Sequence, residues 1–107
     1  MYSVDYLIER FERALYALAT DFGDARCRID AAHGHLIALR LEDYPEHLRS
    51  MWQEIEQLLT RLPGREGFVV VDNLRKMRKA TASRICALIV ELYFELVEHQ
   101  RRAEAQR

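Results

Sequence analysis

Proline and glycine are scarce in this chain, two and four residues in 107, and that shortage excludes a good deal. Turn-rich all-β chains and disordered ones both carry more of these residues, so a folded, mostly helical protein is expected. Cysteine is equally sparse. Cys27 and Cys86 cannot form a disulfide framework and lack zinc-site spacing, so both are expected as buried, reduced thiols. Net charge is nearly absent, with 16 basic against 17 acidic residues. Overall charge therefore exerts no pull toward nucleic acid or an anionic membrane, and any such pull must be local. No apolar run is long enough to span a bilayer, because the greasiest stretch, Ile85–Val97, is short and interrupted by Glu91 and Glu95. The N-terminus, MYSVDYLIERFE, lacks the basic region, apolar core and cleavage site of a signal peptide, which points to a cytoplasmic protein.

Half of the residues are hydrophobic and 31% are charged, enough to close one core within a single domain spanning residues 1–107. Arginine far outnumbers lysine, which fits a GC-rich bacterial genome. There are no internal repeats, low-complexity tracts or linkers.

Four apolar periodicities follow one another. Ser3 is a good N-cap for a first helix in which Leu7, Phe11, Leu15, Leu18 and Phe22 recur at helical spacing, with Glu9 and Arg13 paired on the solvent side. Gly23 stops that helix and Asp24 starts the next. In Ala25–Glu42, the stripe Ala25, Ile29, Ala32, Leu36 and Leu39 favours a helix over the hairpin that HGH followed by LIALRL would also allow. A lone hairpin has no third strand here. Gly34 inside this helix suggests a close helix crossing. Pro45 fits the first position of a third helix, whose seam is Leu48, Met51, Trp52, Ile55, Leu58, Leu59 and Leu62, ended by Pro63-Gly64. A fourth begins between Phe68 and Asp72. Unbroken to His99 it would run about 48 Å, against about 25–30 Å for the others. Arg101 onward reads as a frayed tail. The expected fold is all-α, a four-helix antiparallel up-and-down bundle with a long C-terminal helix.

That last helix is apolar around roughly two thirds of its girth, leaving only Glu91, Glu95 and Glu98 as a polar stripe. It needs cover on more than one side. Val90, Tyr93, Phe94 and Val97 are therefore expected at a subunit or partner contact, with Arg75, Arg78 and Lys79 supplying charge at its edge.

Three candidate chemistries compete with this reading. The run LRKMRKATASR carries Arg75, Lys76, Arg78, Lys79 and Arg84 without an acid, and a helix would set Arg75, Arg78 and Lys79 on one face able to grip phosphates. No aromatics are interleaved with these bases. Metal ligands could pair as His33 with His35, Asp43 with His47, or Glu95 with His99. Only Asp30 and His33 approach the carboxylate–histidine spacing of di-iron bundles, and no second copy exists. Finally, Arg28 and His33 in RIDAAH resemble the Arg-x4-6-His motif of HEPN domains, small helical bundles many of which cleave RNA as dimers. The resemblance implies that Arg28 would stabilise developing charge and His33 act as acid or base. It covers only these few residues, and Ile29 stands where the family commonly has Asn.

The sequence thus predicts a non-enzymatic interaction or regulatory module, a homodimer without cofactor, metal or membrane span. A nucleic-acid binder using Arg75–Arg84 is the alternative, and a HEPN-like RNase using Arg28 and His33 a further one.

Overall fold

The computed structural model describes residues 2–107, and every regular element among them is helical. There are five α-helices: α1 (Val4–Thr20), α2 (Ala25–Gly34), α3 (Arg49–Leu59), α4 (Val69–Lys76) and α5 (Lys79–Ala105). Single 3-10 turns at Leu41–Asp43 and Glu46–Leu48 lead into α3.

Local chemistry starts the first two helices where the sequence foretells. The Ser3 hydroxyl accepts from the Tyr6 N–H at 3.2 Å, and Glu9 holds Arg13 at 3.1 Å. Gly23 adopts φ +93°, a left-handed conformation that side chains disfavour, and the Asp24 carboxylate then accepts from the N–H groups of Arg26 and Cys27. So sharp a corner folds α2 back along α1, and Arg28 donates to the Leu18 carbonyl while Arg10 donates to that of His35.

The core gathers on Phe11, Tyr44 and Trp52. The Tyr44 and Trp52 rings stack at 5.1 Å, and Phe11 meets both edge-on. Leu7, Ile29, Leu36, Ile55, Ile85, Ile89 and Leu92 are among the buried residues that surround them. Around this core α1 runs antiparallel to α5, because Asp5 meets Gln100 and Glu12 meets Tyr93. α3 also opposes α5, with Glu54 on Arg84 and His47 on His99.

The structure corrects several expectations. Helix α2 stops at Gly34, and Leu36 and Leu39 enter the core from a turn instead. A Cβ built on Gly34 would meet nothing within 4 Å, so no helix crosses closely there. Pro45 precedes a 3-10 turn and does not open α3, which starts at Arg49. Phe22 and Leu62 lie outside the core, Phe22 at 91% exposure, since each falls just past the end of its helix and turns outward. Cys27 is exposed against Gly23, and Cys86 is half-buried, both as free thiols. The tail is helical to Ala105, where Glu98 binds both Arg101 and Arg102 one turn on.

The largest correction concerns the last helix. Met77 and Arg78 are extended, at ψ 138° and 152°, and divide the expected rod into α4 and α5. Neither glycine nor proline marks this break. A straight helix would align Arg75 with Lys79 and Arg78, and Lys76 with Lys79, like-charge neighbours that oppose one another. Breaking lets α4 turn onto α2 and α3, where Leu74 is buried and Val70 packs against the core. Arg75 therefore shares no helix face with Arg78 and Lys79.

Candidate interaction surface

Helix α5 carries an apolar flank beside α1. Residues three and four apart on α5 set Cys86, Val90, Tyr93, Phe94 and Val97 along its outer flank. Val90 and Tyr93 are half-buried against α1, whereas Phe94 is 62% exposed and Val97 36%. The Tyr93 and Phe94 rings lie 5.6 Å apart. The Tyr93 hydroxyl donates to Glu12 at 3.4 Å, and burial, then the neighbouring Glu12 charge, push the phenol above its ordinary range. Between the two helices a shallow groove of about 440 Å³ is walled by Leu15, Leu18, Ala19, Cys86 and Val90. Arg28 reaches its rim, with one guanidinium N–H on the Leu18 carbonyl and its Nε buried without a partner. Burial raises the Cys86 thiol, only partly offset by the Arg28 charge.

The sequence-predicted cations occupy a second place. Arg75 lies in the last turn of α4, Arg78 precedes α5 and Lys79 opens it, all exposed. Of these, Lys79 alone lies in helical register with Val90 and Val97. Arg84 leaves the basic run, because Glu54 holds it at 3.1 Å. Arg61 joins it from the end of α3, across a cleft of about 410 Å³ that Lys76 and Arg78 also line. Sequence reasoning missed Arg61, since nothing local ties it to residues fifteen and more positions away. The loop that carries it is fixed by Asn73, which accepts from the Leu62 N–H and donates to the carbonyls of Leu62 and Val69.

Arg28 and His33 share α2 but stand five residues apart, some 140° around a helix. Arg28 turns to α1 and α5, so the two side chains are not brought to one point by their own helix. Desolvation holds His33 below its ordinary pKa against the opposing influence of Asp30. Asp43 is buried and accepts from the N–H groups of Tyr2 and Arg40. His47 instead meets His99, their rings 5.4 Å apart. Among the described residues no three His, Cys, Asp or Glu side chains form a metal-sized cluster. Of the glutamate stripe, Glu98 is tied to Arg101 and Arg102, while Glu91 and Glu95 lie exposed on the surface. No helix among the described residues is long and apolar enough to cross a membrane.

Compared with family models, curated proteins and solved structures, the chain matches none of them.

Proposed function

We propose that this protein is a non-enzymatic interaction module that works as a homodimer, joined through the α1–α5 face at Val90, Tyr93, Phe94 and Val97. Its frame is an up-and-down arrangement of α1, α2, α3 and α5, with α4 strapped across one end. The cytoplasm of a bacterium is its proposed setting.

The observation that carries the reading is Phe94, 62% exposed at the outer edge of the apolar flank that Val90, Tyr93 and Val97 continue. Two further features favour a second copy as the occupant. The chain exposes 6970 Å². A compact monomer of 12.6 kDa exposes about 6200 Å². The excess is comparable to the roughly 800 Å² each partner buries in a standard interface. The α5 flank is also graded in size: Ser83, Cys86 and Ala87 are small, and Phe94 and Val97 are bulky. Such a surface offers both the holes and the knobs that a self-complementary contact requires.

The test is the molar mass of the purified protein by light scattering across a wide concentration range. A dimer is expected, and Phe94→Glu together with Val97→Glu is expected to give a monomer of unchanged helicity, since both side chains are solvent-facing within one chain. A wild-type protein that stays monomeric throughout overturns the reading.

A further inference from the structure

The cleft between the ends of α3 and α4 and the start of α5 combines two properties. First, its cations are uncompensated. Away from this joint the exposed arginines Arg13, Arg40, Arg65, Arg84, Arg101 and Arg102 each have a carboxylate within 4.0 Å, with the terminal Arg107 the exception. Arg61, Arg75, Lys76, Arg78 and Lys79 are exposed and, among the described residues, have none. Of the acids on α3 and α4, Glu54 is engaged by Arg84 and Asp72 by Arg65. Second, three of these cations line one concavity from three different elements, Arg61 after α3, Lys76 in α4 and Arg78 before α5. Leu58, Leu62 and Met77 supply an apolar side to the same cleft.

We infer that this cleft is a binding site for a phosphate monoester of a small organic molecule. Mutually repelling cations held at one concave place are relieved by a multiply charged anion. Guanidinium groups from opposite walls match phosphate oxygens with paired N–H donors, and lysine adds a point charge. The half-buried Thr81 hydroxyl and the first turn of α5, which no side chain caps, add donors on the same side. The apolar wall gives the organic part of the ligand a contact that a bare anion cannot use. Asn73 keeps the cleft in shape but is not a ligand, because its amide is already bonded to Leu62 and Val69.

The experiment is an NMR titration of the isotopically labelled full chain, following the Thr81 amide and the arginine Nε–H signals. Inorganic phosphate, phenyl phosphate, acetate and sodium chloride are compared at matched ionic strength. Saturable shifts are expected with both phosphates, several-fold tighter with phenyl phosphate, and weak or absent with acetate and chloride. Arg61→Ala and Arg78→Ala, each at an exposed side chain, are each expected to weaken phenyl phosphate about tenfold. Binding is expected to fall as pH drops below about 6, where a phosphate monoester loses its second charge. No histidine or carboxylate lines the cleft, so that titration belongs to the ligand. Equal shifts with chloride or acetate, or undiminished binding in the two variants, overturn the assignment. So does binding of a single-stranded oligonucleotide without binding of phenyl phosphate, which would make the cations a track for a polymer backbone.

Discussion

Two glycines separate conformation from space at the scale of single residues. At Gly23 a side chain would meet strained backbone at φ +93° and a Cβ contact of 2.9 Å with Cys27. At Gly34 it would meet neither. Gly23→Ala is therefore expected to destabilise by about 1–2 kcal/mol, and Gly34→Ala to stabilise by about 0.4–1 kcal/mol through the unfolded chain. Thermal unfolding of the pair checks both signs. Asp43 makes the same point in charge. Burial pushes its carboxyl up, but the N–H groups of Arg40 and Tyr2 outweigh burial and hold it below the ordinary range. Asp72 is held lower still, by the Arg65 guanidinium and then its backbone N–H. The unfolded chain thus binds protons at higher pH than the folded one, so stability is present above about pH 4 and lost as pH falls further. Asp43→Asn is expected to lower the melting temperature at pH 7 and flatten its fall in acid, as read by calorimetry across pH.

Among the elements, the division of α4 from α5 matters most. One straight rod would have placed its basic turn out in solvent. The extended Met77–Arg78 pair instead returns α4 to the body and leaves Lys76, Arg78 and the start of α5 around a cleft. That arrangement depends on Asn73, which ties α4 to the loop after α3 with two hydrogen bonds to Leu62, of 2.9 and 2.8 Å, and donates a third to Val69 within α4. Asn73→Leu keeps the volume but strands the Leu62 N–H and carbonyl in a poorly solvated place. It is expected to cost about 1–3 kcal/mol. Limited proteolysis should then cut faster within residues 61–68, while cleavage elsewhere is unchanged; equal rates in that loop would show that Asn73 does not hold it.

For the whole molecule, the extents of 47 × 26 × 21 Å describe an elongated body whose long axis suits α5, about 40 Å from end to end. Three shorter helices cover one side of that axis and leave the Phe94 flank bare. Proposed dimerisation and proposed phosphate binding use different parts of the molecule. The dimer face centres on Val90–Val97 and the cleft lies before Thr81. They are therefore expected to fail independently: the Phe94→Glu, Val97→Glu variant should still bind phenyl phosphate, and Arg61→Ala should still dimerise. Linkage adds a stability readout, because a dimer's melting temperature rises with protein concentration and a monomer's does not.

The amino-acid pattern alone determined the helical class, the caps at Ser3 and Asp24, the corner at Gly23, and most of the buried stripe from Leu7 to Leu59. These are set by neighbours within a turn or two, through periodicity, capping and backbone freedom, and such forces act in any context. Only the tertiary structure decided where α2 ends, that α4 folds back, that Arg61 joins Lys76 and Arg78, and that His47 meets His99. Each of those depends on contacts between residues far apart in the chain. The breaking of a helix that carries neither proline nor glycine is settled by what both halves can bury, and no local spacing records that balance.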